Sequence, residues 1–246
     1  MSAVAMPGQP SLGRHNEALD ESRSRILRGA TWKKQRVVVI IPAGETIPAV
    51  AAMAMWNLMF PPNQAAYKLL AVGDEVGVAY SAAIEMVLGN ETLRDWEYVL
   101  TMEHDNVPPQ DGLLKLMARM DAHPEYACIG GLYWTKGETG VPQIWGDVTD
   151  PVVNYRPQPP APEDADMDAK LVECCGTGMG FNLWRLSMFK DEALRRPWFK
   201  TVASGAEGVG TQDLYAWNDF RRAGYRCAID CDVKVGHLDL TTGIIW

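Results

Sequence analysis

The stretch that decides the fold is Tyr98-Val99-Leu100-Thr101-Met102-Glu103-His104-Asp105-Asn106. Its first half predicts a buried strand, which ends abruptly in four polar residues before a Pro108-Pro109 turn. Ligands of open α/β sheets bind at the carboxyl ends of the strands. Glu103 and Asp105 are one residue apart, so their side chains point the same way on an extended chain. The pattern favours a divalent-cation site, because such ions take oxygen ligands; taken alone, it leaves a solvated acidic turn open.

The chain before this stretch alternates between strand and helix signals. Five β-branched residues in a row, Val37-Val38-Val39-Ile40-Ile41, predict a strand buried on both faces, which is typical of a parallel sheet. The following signals predict a helix over residues 48–60, a strand over 67–72 and a helix over 76–88. This β-α-β-α-β order is typical of a nucleotide-binding half-domain. Neither G-x-G-x-x-G nor G-x-x-x-x-G-K-[ST] occurs, so the sequence lacks the dinucleotide fingerprint and the P-loop.

The chain after Pro109 carries weaker signals. We predict a helix over 110–123, a strand over 127–134, a short helix over 186–194, a helix over 211–224 with Thr211 as its N-cap and Gly224 as its stop, and a strand over 225–230. The Pro-rich residues 147–169 and the Gly-rich residues 201–210 are too irregular for either state. Such long loops often close over a substrate.

A glycine-rich stretch and one tryptophan are candidates for binding a ligand. Glycines alternate with other residues in Gly176-Thr177-Gly178-Met179-Gly180, so the backbone can approach a ligand closely there. The Trp145 indole can stack on a sugar or a base. We assign Gly176, Thr177, Gly178 and Trp145 to ligand binding. Under the family resemblance described below, this ligand is the acceptor of the transferred group. A bulged strand for the glycines and core packing for Trp145 are the alternatives.

Composition and charge restrict the class of protein. The chain has 246 residues, is 47% hydrophobic and 22% charged, and carries a net charge of -8. These values describe a globular protein and argue against a protein that simply coats nucleic acid. The charge is uneven, because residues 1–36 hold seven basic and three acidic side chains. We therefore expect residues 1–35 to form a basic leader, helical over 14–29 or disordered, ahead of the folded part.

Cysteine usage indicates a reducing compartment. The five cysteines are odd in number, include one adjacent pair and form no Cys-x-x-Cys motif, a pattern that fits neither a disulfide framework nor a zinc site. Buried, reduced thiols and a cytoplasmic location are therefore expected. No unbroken apolar run has the length of a membrane span.

Four pieces in a fixed order carry a family resemblance. They are Val37-Val38-Val39-Ile40-Ile41-Pro42, Glu103-His104-Asp105-Asn106, Gly176-Thr177-Gly178-Met179-Gly180-Phe181, and Gln212-Asp213-Leu214-Tyr215 followed by Gly224-Tyr225 and Val235-Gly236-His237. This order resembles the GT-A glycosyltransferases, especially small family-two-like members of bacteriophages and bacteria, over residues 36–240. It implies a Rossmann-like mixed α/β sheet flanked by helices, in one domain over 36–246. That domain comprises a nucleotide-binding half at 36–106 and an acceptor half at 107–246.

The resemblance also implies roles for individual residues. Glu103 and Asp105 stand in the places of the two acids of the Asp-x-Asp metal motif, and His237 matches a histidine that completes the metal shell. Asp213 matches the catalytic base of inverting members. The implied contacts to the nucleotide sugar are Pro42, Gly44, Glu45, Asp74, Glu103 and Asp105.

Three positions depart from the family pattern. The first metal-motif residue is Glu103 rather than Asp, and Gln212 replaces the Glu of a Glu-Asp pair. Where the family often carries Ala-Arg-Asn, this chain has Ala79-Tyr80-Ser81, so a familiar diphosphate contact is missing.

The function expected from these features is transfer of a sugar from a nucleotide sugar to a hydroxyl acceptor, with inversion and with Mn²⁺ or Mg²⁺. A UDP-sugar is the expected donor, and the acceptor is a glycan, a protein or modified DNA. One alternative is a phage enzyme that glycosylates a hydroxymethylated pyrimidine in DNA, working in the host cytoplasm, which the compact size and basic leader motivate. The other is a non-catalytic nucleotide- or carbohydrate-binding module, which the three departures motivate.

Overall fold

The computed structural model describes residues 36–62, 66–202 and 210–246. The predicted leader at 1–35 and most of the predicted loop at 201–210 lie outside the described residues. The strands are β1 (Val37–Ala43), β2 (Ala66–Val72), β3 (Tyr98–Met102), β4 (Asn106–Val107), β5 (Cys128–Leu132), β6 (Ile144–Trp145), β7 (Leu171–Cys174), β8 (Gly176–Thr177), β9 (Phe181–Arg185), β10 (Cys227–Lys234) and β11 (Gly236–His237). The helices are α1 (Ala49–Asn57), α2 (Val76–Gly89), α3 (Gly112–Ala122) and α4 (Gln212–Arg222).

The first half of the chain forms the predicted β-α-β-α-β unit. β1 lies between β2 and β3 and is parallel to both. Every residue of β1 and β3 is buried, as expected for strands covered on both faces. The parallel arrangement brings the carboxyl ends of all three strands to one edge of the sheet, and this confirms the arrangement predicted from the acidic stretch.

The second half completes a seven-stranded mixed sheet in the order β2-β1-β3-β9-β5-β10-β7. β9 runs antiparallel between β3 and β5, β10 is parallel to β5, and β7 is antiparallel to β10. Two short two-stranded sheets, β4 with β11 and β6 with β8, stand beside it. This confirms the predicted mixed α/β architecture.

Helices cover both faces of the main sheet. Alternate residues of each strand point to opposite sides, so both faces of the sheet carry apolar side chains that must be buried. On one face, α2 and α4 contribute Tyr80, Ile84 and Phe220 to a core shared with Val38 and Ile40. On the other face, the apolar side of α3 packs on the opposite residues of the same strands. The site therefore sits on a sheet that is buried from both sides.

An aromatic cluster fixes α4 against the sheet. The rings of Trp184 in β9 and Trp217 in α4 stack with centroids 5.2 Å apart. Phe220 meets Trp184 edge-on at 6.1 Å, and Phe199 lies 6.0 Å from Phe220. Such aromatic pairs contribute about 0.5–1.5 kcal/mol each beyond the burial of their surface. This packing holds the first turn of α4, where Asp213 lies.

Several element boundaries differ from the prediction. The short helix predicted over 186–194 is a 3₁₀ turn at Leu186–Lys190, because Asp191 is extended and its carboxylate accepts the Ala193 backbone N–H at 2.9 Å. The strand predicted over 127–134 ends at Leu132, and the one predicted over 225–230 runs from Cys227 to Lys234. All five cysteines are free and buried, as predicted.

Helix α1 is apolar on every side, yet only Ala51 is buried. Met53 and Trp56 are among its exposed side chains, and Trp56 is 83% exposed. Across the described ranges, no helix is long and apolar enough to cross a membrane.

Candidate metal and nucleotide site

The turn after β3 brings together residues from distant parts of the chain. The Asn106 N–H donates to the Glu103 carbonyl at 3.2 Å, which closes the turn. β4 then pairs with β11, so that Asn106 lies opposite His237. The Leu238 N–H donates to the Asp105 carbonyl at 2.9 Å. His237 is thereby held beside the acidic turn, although it is more than 100 residues away in sequence.

Three side chains at this place form a possible set of metal ligands. One ligand atom from each of Glu103, Asp105 and His237 lies within 4.8 Å of the others. The His237 Nδ1 is 2.7 Å from the Trp134 carbonyl, which can only accept, so Nδ1 carries the hydrogen. The lone pair of Nε2 then faces the Asp105 carboxylate, 3.7 Å away. This is the tautomer that a metal requires, with its second nitrogen fixed by a backbone carbonyl.

The electrostatics of the ligand set also fit a divalent cation. Burial and the negative charges of Asp105 and Asp213 together raise the pKa of Glu103 to about 7, against the opposing effect of nearby positive charge. Crowded carboxylates resist ionisation unless a cation compensates them. Two carboxylates and a neutral imidazole are suitable ligands for Mn²⁺ or Mg²⁺.

Lys136 is a member of the site that the sequence analysis missed. Its Nζ lies 2.5 Å from the Asp105 Oδ2. Burial acts to raise the pKa of Asp105, but the interactions with His237 and with the Lys136 ammonium outweigh it and hold that pKa well below its usual range. The sequence did contain an indication of this role. Lys136 closely follows the predicted strand 127–134, so it belongs to the edge of the sheet where the acidic residues lie.

A cavity of about 440 Å³ opens above these residues. Its lining residues come from the ends of β1, β2 and β3 and from the loops near β5 and β11: Pro42, Ala43, Gly44, Gly73, Asp74, Val76, Glu103, His104, Asp105, Lys136 and His237. The structure thus places Pro42, Gly44 and Asp74 on the same cavity as the candidate metal ligands. Glu45 is exposed and is not among the lining residues, whereas His104, to which the sequence analysis assigned no role, is one of them.

Asp213 is close to the site but does not line the cavity. It lies in the first turn of α4 and is 8% exposed. Burial raises the pKa of Asp213, although hydrogen bonds from the Thr211 side chain and the Leu214 N–H oppose this. Thr211 occupies the predicted N-cap position without bonding the helix backbone. The negative charge of Asp213 contributes to the raised pKa of Glu103, so the two carboxyl groups interact electrostatically.

None of the four residues assigned to acceptor binding is among the residues that line the cavity. Gly176 and Thr177 form β8, which pairs with β6 and so with Trp145. A Cβ on Gly176 would lie 3.1 Å from the Trp217 side chain, and one on Gly178 would lie 2.3 Å from the Tyr133 hydroxyl. Protein atoms therefore make the close approach at these glycines. Their binding to an acceptor stays a prediction.

The position of the missing family arginine is filled by packing. Tyr80 is fully buried, and its hydroxyl donates to the Met179 carbonyl at 3.5 Å. The Ser81 hydroxyl donates to the Phe199 carbonyl at 3.2 Å. This part of α2 supplies no positive charge to the cavity.

The seven-stranded mixed sheet with helices on both faces matches GT-A glycosyltransferase structures, so the chain has the GT-A fold. The crystal structure of A197 from STIV matches it with a TM-score of 0.56 and 16% identity, over 83% of this chain and 86% of that one. The structure of GalNAc-T7 with UDP, GalNAc and Mn²⁺ also gives a TM-score of 0.56, with 9% identity, over 84% of this chain and 44% of that one. The chain therefore spans less than half the length of GalNAc-T7, and at these identities the likeness shows the fold alone. No protein-family model and no curated protein sequence matches the chain.

Proposed function

We propose that the protein is a metal-dependent glycosyltransferase that moves a sugar from a nucleotide sugar to a hydroxyl acceptor. The observation that carries the proposal is the convergence of Glu103, Asp105 and His237, with ligand atoms within 4.8 Å, beside a cavity of about 440 Å³. Pro42 and Gly44, at the carboxyl end of β1, line the same cavity. A cavity of this size accommodates a small ligand such as a nucleotide.

The donor is proposed to span this cavity. In this proposal, Pro42, Gly44 and Glu45 hold the base and ribose, Asp74 makes a further contact to the nucleotide, and the diphosphate lies towards Asp105. Glu103, Asp105 and His237 would hold Mn²⁺ or Mg²⁺, and the bound ion would supply positive charge that offsets the charge developing on the leaving diphosphate. A UDP-sugar is favoured because a structure of the same fold, GalNAc-T7, contains UDP and Mn²⁺.

Asp213 is the proposed base. The acceptor oxygen forms a bond to the anomeric carbon of the sugar while the bond from that carbon to the diphosphate oxygen breaks. The hydroxyl proton passes to the Asp213 carboxylate, and attack opposite the leaving group inverts the configuration. The raised pKa of Asp213 suits this role, because it makes the carboxylate a stronger base than an exposed one. The Leu214 N–H, 2.8 Å from Oδ1, holds the carboxyl group in place.

The acceptor region is proposed to lie beside α4. Gly176 packs against Trp217 of that helix, so β8 and Trp145 stand next to the element that carries Asp213. Glycans, proteins and hydroxymethylated DNA are the acceptor classes to be separated by experiment. The halves 36–106 and 107–246 remain the proposed division between donor and acceptor binding.

The direct test is release of UDP from a panel of UDP-sugars with Mn²⁺, with and without each acceptor class, including hydroxymethylated DNA. We expect the Asp105→Ala and His237→Ala variants to lose binding of metal and nucleotide. The Asp213→Asn variant should bind both and lose transfer. Asp95→Asn is the matched control, because Asp95 is an exposed acid before the amino end of β3. Unchanged transfer in both the Asp105 and Asp213 variants contradicts the proposal.

The second candidate function is a non-catalytic nucleotide-binding module. It is favoured by Asp213, which is absent from the described cavity lining, and by Gln212, which replaces a carboxylate. This function predicts binding of UDP with Mn²⁺ but no turnover with any acceptor, and an Asp213→Asn variant that behaves as the wild type does.

A further inference from the structure

We propose that Lys136 binds the diphosphate of the nucleotide. Before a cation binds, Lys136 forms an ion pair with Asp105, and it is released from this pair when a divalent cation binds together with the nucleotide. This inference rests on the donor site proposed above. Its starting point is one oxygen atom, the Asp105 Oδ2, which lies 2.5 Å from the Lys136 Nζ and 3.7 Å from the His237 Nε2. The lysine thus occupies an oxygen that the metal site requires.

The charges around the cavity show why the lysine is needed. The lining contains three acids, Asp74, Glu103 and Asp105. Within the part of the chain that the structure describes, Lys136 is the one lysine or arginine among the lining residues. A nucleoside diphosphate is an anion and is repelled by a cavity of this sign unless cations compensate it.

Helix α2, whose first residue Val76 lines the cavity, supplies no positive charge to it. Its Tyr80 is fully buried and donates to the Met179 carbonyl. Lys136 is able to supply the charge from the loop after β5. Its side chain is 32% exposed, and its flexible four-carbon stem allows the ammonium to move a few ångströms.

Competition for Asp105 has two opposite consequences. In the absence of nucleotide, the Lys136 ammonium weakens binding of a divalent cation, because the cation must displace a charge-assisted hydrogen bond. In the presence of nucleotide, the released ammonium binds the diphosphate and strengthens the complex. The lysine therefore makes metal binding depend on the nucleotide, and it disfavours loading of the site by a metal alone.

The test compares Lys136→Met with Lys136→Arg by calorimetry and by the electron paramagnetic resonance signal of Mn²⁺. Without nucleotide, we expect the Lys136→Met variant to bind Mn²⁺ about tenfold more tightly than wild type, the value of one charge-assisted hydrogen bond. With saturating Mn²⁺, it should bind UDP about tenfold more weakly and uridine unchanged. Lys136→Arg should restore most of the UDP affinity. Lys234→Met, at an exposed lysine that pairs with Glu163, is the control and should change none of these affinities.

The possible failures are distinguishable. If the wild-type protein binds neither Mn²⁺ nor UDP, the donor site itself is wrong, and this inference falls with it. If the wild type binds both and the Lys136→Met variant shows the same two affinities, the donor site stands and the role of Lys136 is overturned. Thermal unfolding of each variant at the same pH checks that loss of UDP binding does not come from loss of the fold.

Discussion

Replacing Glu103 with Gln should stabilise the metal-free protein while it removes a metal ligand. Burial, together with the charges of Asp105 and Asp213, raises the pKa of Glu103 from 4.5 to about 7. The folded state therefore holds this proton more tightly than the unfolded state does. The resulting contribution to stability is fully present below a pH of about 4.5 and is lost as the pH rises through about 7. Above that range, the ionised Glu103 opposes folding.

The size of the effect follows from the change in pKa. A rise from 4.5 to about 7 corresponds to about 3 kcal/mol between the two protonation states. The Glu103→Gln variant carries a neutral side chain of the same shape and does not lose this contribution. Between about pH 5 and about pH 8, its free energy of unfolding should rise by about 2.5 kcal/mol relative to that of the wild type.

Urea unfolding of both proteins at the two pH values, with metal chelated, measures this difference. The other titrating groups are common to both proteins, so the difference between them isolates Glu103. The exposed Glu192 provides the control. The difference in free energy of unfolding between Glu192→Gln and the wild type should be the same at both pH values. Adding Mn²⁺ at the higher pH should stabilise the wild type much more than the Glu103→Gln variant. A difference that stays constant or falls between the two pH values would refute the reasoning.

Three further predictions concern the frame around the site. Arg119→Met should lower the free energy of unfolding, measured with urea, by about 3–5 kcal/mol, because it leaves the Asp230 carboxylate buried without the Arg119 guanidinium 2.9 Å away. The control Lys115→Met, at a partly exposed ion pair, should lower it by less than about 1 kcal/mol. Gly180→Ala should cost about 1–3 kcal/mol by thermal unfolding, because the new Cβ would lie 2.5 Å from the Tyr133 ring, and an unchanged melting temperature would contradict this. Mn²⁺ at about one hundred times its Kd should raise the stability of the wild type by about 2.7 kcal/mol, an increase that a chelator reverses.

The first half of the fold could be predicted from the sequence because its signals are local. The β-branched run of β1 and the acidic end of β3 each lie within ten residues, and parallel strands must place their carboxyl ends at one edge. The acidic pair of the site followed from this geometry. The place of His237 did not, because its pairing with Asn106 spans more than 100 residues; only the family resemblance indicated it.

The remaining features depend on contacts that no local pattern records. Lys136 was missed because its partner Asp105 lies in another loop. The alternating glycines indicated close approach of the backbone, but the pattern does not tell whether the approaching atoms belong to a ligand or to the protein. At Gly176 and Gly178, they belong to Trp217 and Tyr133.

Because β4 pairs with β11, an ion bound at the site would cross-link two parts of the chain that are distant in sequence. An ion held by both Asp105 and His237 would close a loop of more than 100 residues, yet β11 itself has only two residues. We expect detachment of that short strand to open the site while the seven-stranded sheet stays folded, because local opening costs least where few contacts hold a segment. Hydrogen exchange at the Leu238 amide, which donates to the Asp105 carbonyl, therefore follows the opening of the site, and it slows when an ion is bound.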